Sequence, residues 1–174
     1  MKESNRFDYK RVNALYKEAF PKEERIPLPI LAIATMRKGV EIAEYFDGNI
    51  FVGFTYSVRN ENMIFLMFFA VPSELRQQGY GSKILSYLKE RNPNKVIALN
   101  VEPLDEGADN YVQRVNRVKF YNKNGIHDTG YSASDVGGTF RVFATEKTLD
   151  KQNYTELCKH VSFGFWNGGL RKDK

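Results

Sequence analysis

The sequence predicts an α/β (α+β) domain built on a mixed, mostly antiparallel sheet. Three observations carry that expectation. The run from Met63 to Val71 is nearly all apolar and of strand length, as suits a central strand buried on both faces. It leads through a short polar loop, Arg76-Gln77-Gln78-Gly79-Tyr80-Gly81, into a helix with Ile84, Leu85 and Leu88 on one face. Ahead of it, two strand-like segments flank Asp47-Gly48, a strong hairpin signal.

In chain order, Asp8 can cap a first helix that runs to about Phe20. Val12, Leu15, Tyr16, Ala19 and Phe20 form its apolar face, and Pro21 stops it. A proline-punctuated loop follows, and Pro29 sits in the first turn of a second helix expected to end near Gly39. Val40–Phe46 and Asn49–Arg59 read as strands, and Asn60-Glu61-Asn62 turns the chain into the central strand. Lys95–Glu102 is the next strand, parallel to the central one because a helix connects them. An acidic loop, Pro103–Asp109, precedes a helix capped by Asp109 or Asn110, running to Asn124 with Gly125 as its left-handed stop. Ile126–Ser132 and Gly138–Thr145 read as a closing strand pair, and a last helix starts at Asp150. The tail from Ser162, with Phe163, Phe165 and Trp166, has no periodicity that assigns it.

The chain has 174 residues, the size of one domain, with enough length for a real core. Its aromatic share of 14% argues against disorder. The net charge of +5 is spread along the sequence. The nearest basic tail, Arg171-Lys172-Lys174, is too short for a nucleic-acid arm, so no nucleic-acid partner is expected. A nucleic-acid-binding domain would show steep salt-dependent binding. The single cysteine, Cys158, excludes an internal disulfide and reads as packing at helical spacing with Tyr154, Leu157 and Val161. No signal peptide or membrane-length apolar run is present, so a soluble, cytoplasmic protein without a membrane partner is expected.

The glycine-bearing loop has a chemical use. Glycines let main chain approach a ligand closely, and the first N–H groups of the following helix have no intrahelical partner. With the helix dipole these make an anion site suited to phosphate. The P-loop spacing and the dinucleotide fingerprint are both absent. Arg76, Gly79 and Gly81 instead fit Arg/Gln-x-x-Gly-x-Gly/Ala, and the stretch resembles the acetyl-CoA loop of the GNAT acyltransferase superfamily. The alternative is a plain strand-to-helix turn.

The resemblance covers roughly Asp8 to Thr145 and leaves 146–174 as a C-terminal helix and tail of the same domain. It implies a splayed sheet with helices on both faces and a first strand, for which only Met1–Phe7 is available. It implies acetyl-CoA as cosubstrate, no metal, and a monomer or homodimer. Main chain of Phe69, Ala70 and Val71, then of Gln77, Gln78, Gly79, Tyr80, Gly81 and Ser82, would hold it. Arg76 adds a bond to phosphate or is a surface arginine.

A second signature lies before Gly125. Phe120-Tyr121-x-x-x-Gly125-Ile126 resembles the family's Phe/Leu-Tyr-x-x-x-Gly-Phe, which puts Tyr121 at the position of a tyrosine facing the CoA sulfur. A phenol there can protonate the departing thiolate; otherwise Tyr121 is core packing. The family has an asparagine two turns earlier and an alanine one turn earlier, where this chain has Arg114 and Arg117. These arginines either reach cofactor phosphates or pair with the acidic loop. Glu102, at a strand end, is the candidate general base or else a surface carboxylate; Glu23 and Glu24 are weaker candidates. His127 and His160 fall in no catalytic pattern. Glu102, Asp105, Glu106 and Asp109 together suggest a cationic amine acceptor.

The reading is acetyl-CoA-dependent N-acetyl transfer, by direct attack, to a primary amine of a small molecule or protein. The alternative is a CoA-binding module without catalysis.

Overall fold

The computed structural model describes residues 1–135, 138–161 and 168–173. Phe163, Phe165 and Trp166 lie outside the described residues. The chain divides into two compact units, one of Met1–Arg59 and Leu66–Pro93, the other of Asn60–Phe65 and Asn94–Lys174.

The first unit begins with a short strand, β1 (Lys2–Ser4), in the place where the sequence left little room for one. Asp8 then caps α1 (Tyr9–Ala19), its carboxylate accepting from the Arg11 N–H at 3.0 Å. α1 buries Val12, Leu15 and Tyr16. α2 spans Leu28–Ala34 and stops short of Gly39. The last residues before Gly39 form i→i+3 turns instead, from the N–H groups of Thr35, Met36 and Arg37 to Ala32, Ile33 and Ala34.

β2 (Val40–Asp47) and β3 (Ile50–Arg59) form the expected hairpin, with Gly48 at φ +60 in the turn. The register shifts at Tyr45/Phe46, which face Gly53 and Phe51, so Val52 is the extra residue of a bulge. Gly53 is required on steric grounds: a Cβ there would stand 2.4 Å from the Ala70 carbonyl oxygen. β4 runs from Met63 to Ala70, and its second half packs in this unit, where Phe68 stacks edge-on against Tyr16 and Phe20 at 4.9 and 5.0 Å. α3 (Tyr80–Arg91) buries Ile84, Leu85 and Leu88 as its spacing predicts. Glu44 on β2 is 1% exposed. It is held by Arg11 at 2.7 and 3.0 Å and by the Asp8 N–H at 3.0 Å, so the buried charge is satisfied.

In the second unit, Met63–Phe65 of β4 pairs in parallel with Val96–Ala98 of β5 (Val96–Val101). That register covers Met63 to Phe65; from Leu66 onward β4 belongs to the first unit. α4 (Tyr111–Lys123) follows, with Asn110 at its N-cap and Gly125 at φ +66 just past its end. β6 (His127–Asp135) and β7 (Gly138–Ala144) pair antiparallel, and β7 also pairs antiparallel with β5. α5 (Lys151–Val161) starts after Asp150, as expected, and buries Cys158 with Tyr154, Leu157 and Val161. β8 (Leu170–Lys172), in the tail that periodicity left unassigned, adds antiparallel to β6.

The strand order is β1-β2-β3-β4-β5-β7-β6-β8, an open sheet with β4–β5 as its parallel pair. No described helix is long and apolar enough to cross a membrane.

Candidate functional site

In the first unit the chain leaves β4 at Ala70, makes a 3-10 turn over Ser73–Leu75, and enters α3 at Tyr80. Between them Gln77 at φ +63 and Gly79 at φ +84 take left-handed conformations. Such backbone is rare outside glycine and gathers where a loop is shaped for a ligand. The main-chain N–H groups of Gln77, Gln78, Gly79, Tyr80, Gly81 and Ser82 meet no protein acceptor among the described residues. An ideal Cβ on Gly79 would meet nothing within 4 Å, so the face of the loop at Gly79 is open. Unpaired donors at the positive end of a helix are what a phosphate requires.

Side chains brace this loop from behind. Arg76 donates from Nε to the Val71 carbonyl at 3.1 Å and from Nη2 to Glu18 at 3.3 Å, while Glu18 also accepts from the Ser73 N–H at 2.9 Å. The Gln78 amide donates to the Glu74 carbonyl at 2.7 Å. Phe69 and Val71 are half-buried and Ala70 is buried.

The second unit holds Glu102, Arg114 and Tyr121. Glu102 follows β5 directly. Its Oε1 accepts from Asn110 at 3.1 Å and from Arg114 at 3.2 Å, and its Oε2 accepts from Arg117. Burial raises its pKa, but the hydrogen bonds from Arg117 and Asn110 and both arginine charges outweigh that, and the carboxyl ends below its ordinary value. Both oxygens are engaged and the group is a weaker base than a solvated glutamate. This geometry does not suit the general base expected from the sequence. Arg114 is equally committed, from Nε to Asn110 at 2.7 Å and from Nη1 to the Pro103 carbonyl at 2.9 Å. Of the two roles open to the arginines, pairing with the acidic loop is the one seen. The same pairing weakens the case for a cationic acceptor, since two guanidiniums flank Glu102 and Asp105 accepts from the Gly107 N–H at 3.0 Å.

Tyr121 is placed otherwise. Its ring is 8% exposed, packed against Phe120 and Phe143 at centroid distances of 5.2 and 6.5 Å. Its hydroxyl has no protein hydrogen-bond partner among the described residues. Burial pushes its pKa up to about 12, against a pull from the Arg117 charge. It stays a protonated donor at neutral pH. His127 is half-buried and meets Asn122 at 3.1 Å, apart from any catalytic arrangement.

Sequence reasoning did not single out Gln77 as left-handed, Gly53 as a steric requirement, or Arg25 and Tyr56, which carry buried polar atoms without partners. Nothing in periodicity marks these; Gly53, for one, is required by the Ala70 carbonyl of another strand.

Comparison with known proteins gives the fold. No protein-family model matches the chain, and no curated protein sequence does. Among solved structures, an acetyltransferase of the GNAT family from Bacteroides thetaiotaomicron superposes with a TM-score of 0.66 at 23% identity, covering 90% of this chain and 92% of that one. An aminoglycoside 6'-N-acetyltransferase complexed with coenzyme A gives 0.61 at 19% identity, covering 83% and 96%. The ribosomal-protein-S18-alanine N-acetyltransferase from Escherichia coli gives 0.59 at 14%, covering 87% and 97%. The chain therefore has the fold of the GNAT acetyltransferases.

Proposed function

We propose that the protein is an acetyl-CoA-dependent N-acetyltransferase that moves an acetyl group directly to a primary amine. The observation that carries this reading is the loop from Gln77 to Ser82. Its main-chain donors are unpaired, it opens α3, and it follows the central strand of a GNAT fold. These residues fit a pyrophosphate: the donors are main chain, the face at Gly79 is open, and left-handed backbone shapes the turn. When bound, acetyl-CoA supplies an activated acyl thioester. Main chain of Phe69, Ala70 and Val71 would hold its pantetheine arm, with Gln77–Ser82 on the phosphates and Arg76 bracing the loop.

Tyr121 is assigned the proton donor to the leaving thiolate. Its support is the Phe120-Tyr121 motif together with a packed ring, a raised pKa and a hydroxyl without a protein partner among the described residues. Glu102 is assigned a positioning role, holding Arg114 and Arg117 on α4, rather than that of base. A primary amine deprotonated by solvent needs no protein base. The reading takes 1–174 as a single domain, a monomer or homodimer acting in the cytoplasm on a small-molecule or protein amine, without nucleic acid or membrane.

The test is calorimetric titration with CoA, then thiol release from acetyl-CoA across a panel of primary amines. Micromolar CoA binding and amine-dependent release are expected. CoA binding without release on any amine would leave the non-catalytic module, and no CoA binding removes both readings.

A further inference from the structure

Arg117 and Tyr121 stand one turn apart on α4, so they share a face of the helix, and a side chain at 121 leans back over the turn that carries 117. The Tyr121 ring is fixed by Phe120 and Phe143 at 5.2 and 6.5 Å. Arg117 is fixed from its far end, where Nη1 donates to Glu102 Oε2. The two arginines on Glu102 differ in what they have left. Arg114 commits Nε to Asn110, Nη1 to the Pro103 carbonyl and Nη2 to Glu102, and its side chain is 18% exposed. Arg117 uses Nη1 alone, its side chain is 40% exposed, and its Nε and Nη2 meet no acceptor among the described residues. Its charge is therefore answered on one side only. That charge reaches the Tyr121 phenol: burial pushes the phenol's pKa up, and Arg117 is the one charged group among the described residues that pulls it down.

A phenol that holds its proton too tightly is a poor acid toward a thiolate, and a positive charge nearby favours the phenolate that donation leaves behind. We propose that Arg117 is a positioning residue for acetyl transfer: held by Glu102 and acting through Tyr121, its charge steadies the phenolate formed as Tyr121 protonates the leaving sulfur. This rests on the acetyltransferase reading and adds to it the group that lets so buried a tyrosine serve as an acid. In the step, the amine nitrogen bonds to the acetyl carbon, and the carbon–sulfur bond breaks with its electron pair passing to sulfur. The Tyr121 proton moves to that sulfur. The nitrogen gives a proton to solvent and the phenolate takes one back from solvent, so the products are the amide and the free thiol. Glu102 then keeps the guanidinium on the turn beside the phenol.

The test pairs a titration with rates. Replacing Tyr121 by difluorotyrosine brings the phenol into a range that fluorine NMR can titrate on the folded full chain, with no CoA or amine present. Arg117→Met, which keeps the length and loses the charge, should raise the midpoint by about half a pH unit or more, and Arg117→Lys should leave it near the parent's. With tyrosine at 121, single-turnover transfer to the best amine of a panel should be about tenfold slower in Arg117→Met, at parental CoA affinity, and within about threefold of the parent in Arg117→Lys. In a Tyr121→Phe background, Arg117→Met should slow transfer no further. Equal midpoints in the parent and Arg117→Met overturn the proposal. So does a parental rate in Arg117→Met, an Arg117→Lys as slow as Arg117→Met, or a slowing that multiplies with that of Tyr121→Phe, since each leaves Arg117 as an anchor of α4 only. Should Arg117→Met lose the fold by circular dichroism, Arg117→Gln, which can still donate to Glu102, carries the same comparisons. A midpoint raised in Arg117→Met while the parent transfers acetyl to no amine would count against the acetyltransferase reading, and with it the catalytic role, and would leave the coupling of Arg117 to Tyr121 standing.

Discussion

The loop from Arg76 to Ser82 and the helix from Tyr111 to Lys123 carry the proposed chemistry in opposite ways. The loop works through main chain: its N–H groups are unpaired, and its side chains merely brace it. The helix works through side chains, and those of Arg114 and Arg117 are already engaged by Glu102. Only the Tyr121 hydroxyl, of the helix residues assigned a role, is left with nothing to bond among the described residues. Main-chain sites follow from backbone conformation and tolerate changes in side chain. Side-chain sites depend on which partner each group has found.

The largest effect should come from breaking the main-chain half. Gly79 sits at φ +84, which a β-branched residue reaches only with strain, and its Cβ would project into the open face of the loop. Gly79→Val should therefore weaken CoA binding by about 100-fold or more, the loss of two or so charge-assisted bonds. Far-UV circular dichroism should show a folded protein. Calorimetry giving parental CoA affinity would remove the loop from the site.

Next comes the one unpaired side chain. Tyr121→Phe keeps the ring on Phe120 and Phe143 and deletes the hydroxyl. The acetyl-transfer step should slow about 10²–10⁴-fold, in kcat rather than in CoA affinity. Parental single-turnover rates would make Tyr121 a packing residue. The pH profile sharpens this. With a pKa of about 12 in the folded state, the phenol keeps its proton well past the ordinary value of 10.0, so no alkaline loss of rate should trace to Tyr121 below about pH 11. Its effect on stability has the same sign: the preference for the neutral phenol is fully present below pH 10.0 and is lost as pH rises through about 12.

The same contrast decides what the sequence could tell. The Met63–Val71 run, the glycine loop and the α3 face were legible because they rest on local patterns: apolar continuity, absent Cβ atoms and helical spacing. The Asp47-Gly48 hairpin and the Gly125 stop were legible for the same reason. The end of α2 was not, since Ala34 gives way to i→i+3 turns that bring Gly39, at φ +82, against Arg59, where a Cβ would stand 2.3 Å from its carbonyl oxygen. Glu102 could not be read either. A carboxylate at a strand end looks like a base until its partners, eight to fifteen residues on, are placed around it. β8 is a three-residue strand made by pairing with β6 and by the Asp173–Arg141 contact, and no periodicity announces so short an edge.

A moderate effect should separate the two roles of Glu102. Glu102→Gln keeps shape and removes the charge that holds both arginines. If the residue positions α4, stability should fall by about 1–2 kcal/mol and kcat by less than about tenfold. A base would instead show a kcat loss of about 100-fold or more with little change in Tm. Because the folded carboxyl lies below its ordinary 4.5, its stabilisation is present above that pH and is lost as pH falls through the lower folded value. The parent should therefore lose stability on acidification in that range, and the Gln variant should lose less. Equal acid sensitivity of the two proteins would show that the Arg114 and Arg117 pairing does not matter.

The smallest effect belongs to the brace behind the loop. Arg76 and Glu18 are 50% and 41% exposed and 3.3 Å apart, so their ion pair is screened and contributes less than about 1 kcal/mol. The bond from Arg76 Nε to the Val71 carbonyl is the more specific contact, because it ties the chain leaving β4 to the turn that enters α3. Arg76→Lys keeps the charge and loses that planar donor. If Arg76 braces, the variant should bind CoA about two- to fivefold more weakly, with a salt dependence no different from that of the parent. If Arg76 instead meets phosphate directly, Arg76→Lys should keep most of the affinity and Arg76→Gln should lose it, with a flatter dependence on salt. CoA titrations of both variants at low and high salt decide between the two, and a parental affinity in both would leave the loop supported by main chain alone.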